Sequence, residues 1–466
     1  MCSREVHTVR PVLRAAALLV AVAGFLVPAA AAHAQTGQNR IVRADLITEV
    51  QPVGWRVVAV AIEYANRIDV GGADIPNSAF TVAATINNTT ANRTVTDVYT
   101  NDAPEVDRRG ARGTAGRYVI VELDPNDPNS GANVSVGGLN TPVPLVGAYT
   151  IRQTANIRNA DDDVELRAQP FGVTNQGVIN PIVDDFVSMT FTDTAGTRLP
   201  FRLYQPARAP ERRSAGHPLV LFLQGAGGRG ANNLSQITSN QGAVAFAKPE
   251  RQRSDPSYVL APQIPGDAAW TQPNYQAAVI ALLDQVMATY PIDPDRVYLA
   301  GISLGAFGGF DILPKYPDRF AGAILVAGSG DPSRAPLMRD VPLWANHSVD
   351  DPVVNYTTGS LAMANAIEAA GAPVTRGVWR GDLPDRVAEA RALELWATAD
   401  ANGSHTLLTT YEAGTTPVNG HFSWVPTYQN DVMIDWLFSH DLQDREPDDA
   451  LRYSAAGWRG AFAHAG

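Results

Sequence analysis

The stretch Val297-Tyr298-Leu299-Ala300-Gly301-Ile302-Ser303-Leu304-Gly305-Ala306 reads as an apolar strand, a serine flanked by glycines, and the opening of a helix. Val297 to Ala300 is a run of strand length, and Leu304 to Tyr316 has the apolar spacing of a helix. A serine on so tight a turn draws together the positions two before and two after it. A β-carbon at either would collide, and Gly301 and Gly305 meet that demand. The turn lifts the Ser303 hydroxyl above the carboxyl end of a sheet, which is the context that makes G-x-S-x-G a nucleophile elbow.

Working outward, apolar runs alternate with helix-length amphipathic segments from about Asp184 onward, as in a parallel sheet covered on both faces. Strands are predicted at Val187 to Thr192, Arg198 to Tyr204, Pro218 to Leu223, Tyr258 to Ala261, Val297 to Ala300, Ala321 to Val326 and Pro342 to Ala345. Helices are predicted at Tyr275 to Tyr290, Leu304 to Tyr316, Thr358 to Ala370 and Asp431 to Ser439, with an extra one at Leu383 to Ala399. With the elbow, this pattern gives an α/β class, an α/β-hydrolase domain on a mostly parallel sheet over residues 181–444. Upstream, residues 35–180 show short β-branched runs such as Trp55 to Val60 and Tyr118 to Glu122, separated by Asn, Asp and Gly clusters, an all-β sandwich pattern. That region holds no nucleophile paired with a base, so it is expected to contribute no group to the chemistry. Asn180-Pro181 reads as a hinge between separately cored units.

Of the 466 residues 45% are hydrophobic and 18% charged, enough for two domains with real cores and too apolar for disorder. The net charge of −11 offers no basic field, so neither nucleic acid nor anionic lipid is an expected partner. Arg4, Arg10 and Arg14 precede an apolar run from Ala15 to Ala32 and the small-residue site Ala32-His33-Ala34, the plan of a secretory signal peptide over residues 1–34. An uncleaved anchor helix is the alternative, against which Pro28 and the Ala-His-Ala ending argue. The expected location is secreted or periplasmic, with no membrane association after cleavage. The one cysteine, Cys2, falls in the leading segment, so the mature chain is expected to lack disulfides and thiolate metal sites. Residues 445–466 read as a loosely ordered tail.

A serine nucleophile needs donors for the oxyanion it creates. Leu221-Phe222-Leu223-Gln224-Gly225-Ala226-Gly227-Gly228 ends an earlier strand in a glycine turn, and the Ala226 and Leu304 amides are the predicted oxyanion hole; an ordinary strand-terminal turn is the other reading. In this fold the chain order is Ser, acid, His. After the strand at Pro342 to Ala345 come Asp350 and Asp351; Asp351 is the predicted acid, Asp350 the fallback, and simple turn capping the alternative. His347 precedes the acid and reads as structural. Among later histidines, His421 follows Asn419-Gly420 in a loop and is the predicted base; His405 starts a strand, His440 ends a helix and His464 lies in the tail. Trp270 and Trp424 are candidates for the substrate-binding wall, core packing being the equal alternative. No metal-ligand pattern or phosphate-cradling loop stands out, and acyl transfer needs no cofactor.

With these residues in place, the second domain resembles the secreted bacterial esterases related to polyhydroxybutyrate depolymerases and the prolyl-oligopeptidase-like serine hydrolases. The likeness runs through Leu223 to Gly227, Ala261-Pro262-Gln263 with Trp270 beyond, Ile292 to Leu299, Tyr316 to Ala321, and Asp435-Trp436-Leu437-Phe438. The first domain is similar to the immunoglobulin-like domain preceding some of these esterases, around Val53-Gly54-Trp55 and Ala79 to Val82. The resemblance implies a serine carboxylesterase acting through an acyl-enzyme on a small-molecule or polymeric ester, polyesters and plant-derived esters included. Two departures stand out: Gln224-Gly225 where the family has His-Gly, and Ser303-Leu304-Gly305-Ala306 where it has Ser-Met-Gly-Gly. Backbone oxyanion donors survive both changes. A peptidase using the same three residues and a non-catalytic binding protein on the same fold are the competing readings; the first would need an anchor for a peptide terminus.

Overall fold

The computed structural model describes residues 39–107, 113–169, 171–207 and 216–445. The predicted signal peptide lies outside the described residues, as do His464 and all but the first residue of the predicted tail. The described residues from Asn39 onward fall in one compact unit, with separate hydrophobic clusters in its N-terminal and C-terminal parts.

The N-terminal part is a sandwich of two sheets. One runs in the order Gly177–Ile179, Ile41–Gln51, Gly54–Ile68, Gly116–Leu123, Val95–Asn101; the other Val173–Thr174, Tyr149–Gln153, Phe80–Ile86, Thr89–Arg93. Period-two alternation sends Val82, Ala84, Tyr149 and Ile151 from one sheet against Val60, Ile62, Val119 and Val121 from the other. Arg93 is buried between the sheets, and its guanidinium donates to Tyr149 Oη at 2.6 Å, Val57 O at 3.0 Å and Asp127 Oδ2 at 3.2 Å. Those acceptors are what make a buried cation tolerable.

The second part is a nine-stranded sheet: β1 (Val187–Thr192), β2 (Arg198–Tyr204), β3 (His217–Leu223), β4 (Tyr258–Pro262), β5 (Ile292–Ile302), β6 (Gly322–Val326), β7 (Leu343–Ser348), β8 (Val374–Trp379) and β9 (Thr406–Tyr411). Their order is β1-β2-β4-β3-β5-β6-β7-β9-β8. Only the β1–β2 and β2–β4 pairings are antiparallel; all others are parallel. The longer helices are α1 (Pro273–Thr289), α2 (Leu304–Ile312), α3 (Ser360–Ala369), α4 (Asp385–Asn402) and α5 (Asp431–Phe438). Leu219, Leu221 and Leu223 of β3 face Leu282, Leu283 and Phe310. Val220 and Phe222 face the opposite layer with Tyr298, Trp344, Trp436 and Leu437. Burial of each such side chain contributes roughly 1.5–3 kcal/mol, and burial on both faces is what the continuous apolar runs encode.

The two parts meet over more than a linker. Val50 and Leu234 each pack against both the sandwich core and the second core. The hairpin Asn133–Val136/Leu139–Pro142 lies on the segment after β3: Ser235 Oγ donates to Asn140 O, and Asn133 Nδ2 donates to Thr238 O at 3.3 Å. A β-carbon placed on Gly227 would lie 2.8 Å from Asn140 Nδ2. The two parts keep separate cores and also touch at these places away from Asn180-Pro181. A cleft of about 450 Å³ also opens between the parts, lined by Val50, Val106, Ile182, Val244 and Lys248 among others; Ser303 and His421 do not line it.

Candidate active site

The site is assembled at the carboxyl ends of β3, β5 and β7 and on the loop after β9. Ser303 stands between β5 and α2 with φ 52° and ψ −115°, a left-handed backbone that a non-glycine residue holds only under constraint. Packing supplies the constraint: a β-carbon on Gly305 would fall 1.9 Å from Leu223 O, and one on Gly301 2.7 Å from the Gly305 backbone. The Ser303 amide is spent on Val326 O at 2.8 Å. The Leu304 amide opens α2, among those a helix leaves without an internal acceptor.

Ser303 Oγ lies 3.0 Å from His421 Nε2, and His421 Nδ1 lies 2.8 Å from Asp351 Oδ2. An ionised carboxylate only accepts, so Nδ1 carries the hydrogen and Nε2 is left to accept from the Ser303 hydroxyl. His421 sits in the short turn Gly420–Phe422, whose amide end is capped by the Asn419 side chain. Asp351 Oδ1 accepts from the amides of Val353 at 2.8 Å and Val354 at 2.9 Å. Burial pushes the Asp351 carboxyl up. The N–H donors of His347, His421, Val354 and Val353 outweigh it and hold the group well below the usual carboxylate range.

Asp350 points elsewhere, accepting from Ser348 Oγ at 2.6 Å and the Gly414 amide at 2.8 Å. His405 is exposed ahead of β9, and His440 Nδ1 donates to Trp436 O at 2.7 Å. Neither is joined to Ser303.

The glycine turn after β3 is a short 3-10 segment, Ala226–Gly228, beside the serine: a β-carbon on Gly225 would lie 3.6 Å from Ser303 Cβ. Gln224 anchors that turn from below. With its amide turned to satisfy both neighbours, it donates to Pro262 O at 2.8 Å and accepts from Ile264 N at 3.2 Å.

The two tryptophans are supports. Trp270 is 0% exposed, its indole N–H donating to Gln224 O at 3.1 Å, so as a substrate wall it is corrected to core packing under the turn. Trp424 is 8% exposed; it meets the His421 ring edge-on at 5.3 Å and donates to Pro52 O of the sandwich at 3.2 Å.

One residue that sequence reasoning set aside lies on the acid. His347 Nε2 is 3.0 Å from Asp351 Oδ2, the same oxygen that His421 uses. The signal was present: a histidine next to the end of a strand buried on both faces must find a partner, and a carboxylate follows four residues on.

A mostly parallel sheet covered on both faces, with a strained serine on the turn after β5 and histidine and carboxylate from later loops, defines the α/β-hydrolase fold. Residues 43–165 match the family described as "Esterase Ig-like N-terminal domain" and residues 201–366 the family described as "Putative esterase". A solved structure of a thermostable esterase is 31% identical with a TM-score of 0.73, covering 86% of this chain and 100% of that one. The chain is similar to poly(3-hydroxyalkanoate) depolymerase C of Paucimonas lemoignei, 31% identical over 146 residues, 30% of this chain and 34% of that protein. It is also similar to "Putative esterase NocK" of Nocardia uniformis subsp. tsuyamanensis, 26% identical over 192 residues, 40% of this chain and 54% of that one. The chain thus spans from a third to about half of these two relatives. It belongs to the esterases that carry an immunoglobulin-like domain ahead of an α/β-hydrolase domain.

Proposed function

We propose that the protein is an exported serine carboxylesterase that hydrolyses carboxylic esters through an acyl-enzyme. The observation that carries this reading is the unbroken line Ser303 Oγ, His421 Nε2, His421 Nδ1, Asp351 Oδ2, with spacings of 3.0 and 2.8 Å. His421 removes the Ser303 proton as Oγ attacks the ester carbonyl. The ionised Asp351 holds the imidazole in the Nδ1–H tautomer and stabilises its charged form. The alcohol leaves with the proton from His421, water activated by the same imidazole opens the acyl-enzyme, and Ser303 is regenerated. The Ala226 and Leu304 amides are the donors to both tetrahedral oxyanions. The basic, apolar and Ala-His-Ala order of residues 1–34 supports export to the periplasm or the medium.

The test is a series of chromogenic esters of increasing acyl length and a soluble polyester oligomer, beside a panel of peptide amides. Ester turnover with a burst of alcohol release is expected. Amide turnover at comparable kcat/KM would transfer the reading to a peptidase.

A further inference from the structure

His347 is fully buried, yet its ring is engaged on both nitrogens. Nε2 faces two acceptors, Asp351 Oδ2 and Val354 O, each at 3.0 Å, so it must carry a hydrogen. Nδ1 faces Ser360 Oγ at 2.9 Å, and Ser360 Oγ donates to Gly328 O at 3.1 Å, just beyond the end of β6. The ring edge meets Tyr356 at 5.7 Å between centroids, and Tyr356 Oη bonds Thr410 Oγ1 at 2.8 Å. These contacts fix the plane of His347 against α3 and β9, so its N–H reaches Asp351 from a rigid frame.

We propose that His347 is a positioning residue for the catalytic acid: by sharing Asp351 Oδ2 with His421 it fixes the carboxylate and limits how strongly that carboxylate holds the base. The proposal rests on the Ser303–His421–Asp351 reading above. An oxygen that accepts two N–H groups is a weaker acceptor toward each, so the charged form of His421 is held less tightly than by an undivided carboxylate. Removing the His347 donor leaves Oδ2 to His421 alone and strengthens that hydrogen bond. The acid limb of kcat/KM, which reads the free-enzyme base, then moves to higher pH. The titratable groups facing the two imidazoles are Asp351 between them, Asp350 against the Gly420 backbone, and Tyr356 against the His347 ring.

Two substitutions separate the sides of the ring. His347→Asn puts an amide where Nδ1 lies, toward Ser360, and removes the donor to Asp351; His347→Gln puts one where Nε2 lies and retains it. In the full-length enzyme, His347→Asn is expected to move the acid limb up by about 0.5–1 pH unit, and His347→Gln to leave it near the wild-type position. A limb that stays put or moves down in folded His347→Asn overturns the proposal. Should that variant not fold, proton spectra of the wild-type enzyme with labelled histidine decide the matter: separate low-field N–H resonances from His421 and His347 are expected, and only His421's would overturn it. Fluorophosphonate labelling of the same wild-type preparation keeps the readings apart. Absence of a Ser303 adduct removes the triad reading, whereas a normal adduct with an unmoved limb removes only the role of His347.

Discussion

Gly305→Ala tests how tightly the serine turn and the oxyanion turn are locked together. The new β-carbon would stand 1.9 Å from Leu223 O and 2.5 Å from Leu223 C, both backbone atoms of β3. Carbon contacts settle at roughly 3.5–4.0 Å, so α2 or the end of β3 must retreat by an ångström or more. Leu223 leads directly into Gln224-Gly225-Ala226, and that retreat separates Ser303 from the proposed oxyanion donors. A displacement of about 1 Å at a reacting group costs on the order of 100-fold in rate, and the overpacking costs about 1–3 kcal/mol of stability. Gly225→Ala is the matched control: its nearest neighbour would be Ile302 O at 3.3 Å, its φ is −71°, and a few tenths of an ångström suffice. The assay is kcat on a short-chain chromogenic ester, with urea unfolding of each variant. A folded Gly305→Ala enzyme with wild-type kcat, or a Gly225→Ala enzyme equally damaged, would refute the reasoning.

Asp351→Asn is expected to lower kcat by about 10⁴-fold by allowing the wrong His421 tautomer, while Asp350→Asn, which bonds Ser348 and Gly414, should leave kcat within about 10-fold; kcat on one ester ranks them, and the reverse order would reassign the acid. A chain beginning at Ile182 loses the bonds from Trp424 to Pro52, Ser235 to Asn140 and Asn133 to Thr238, each about 0.5–1.5 kcal/mol net. It should melt earlier and turn over even small esters more slowly, whereas an unchanged melt and unchanged rates would show that these contacts do not support the site. Asp351 has a folded pKa below its unfolded value of about 3.9, so its stabilisation is complete above that pH and is lost as pH falls through the folded pKa. The stability gap between wild type and Asp351→Asn, measured by urea unfolding, should therefore narrow below about pH 4, and a gap that widens there would contradict the assignment.

The strands legible in the sequence include the uniformly buried runs β3 and β6 and also the alternating, partly exposed pair β1 and β2. β3 and β6 are unbroken apolar runs because both faces are covered, and the Gly301 and Gly305 spacing encodes the elbow because backbone crowding there admits only hydrogen. β8 escaped prediction because, at the sheet edge, Val374-Thr375-Arg376-Gly377-Val378-Trp379 is only partly buried and carries a charge and a glycine. β9 was visible only at its start, its Thr-rich run resembling loop composition. Chain order pointed to Asp351 and His421, because each loop leaves a strand end on the same side of the sheet. The contacts of Trp270 and Trp424 were not legible, since they depend on which buried groups meet in three dimensions. The docking of the Asn133–Pro142 hairpin on the turn at Ala226 is likewise a meeting of segments some ninety residues apart.

The central claim is that Ser303 is a nucleophile activated by His421. Incubation with a fluorophosphonate ester, followed by intact-mass and peptide mass spectrometry, tests it most directly, with Ser303→Ala and His421→Ala alongside. The account predicts one adduct per chain, on the peptide containing Ser303, abolished in Ser303→Ala and slowed by several orders of magnitude in His421→Ala. No adduct on the folded wild-type protein, or an adduct on another residue that persists in Ser303→Ala, would contradict it.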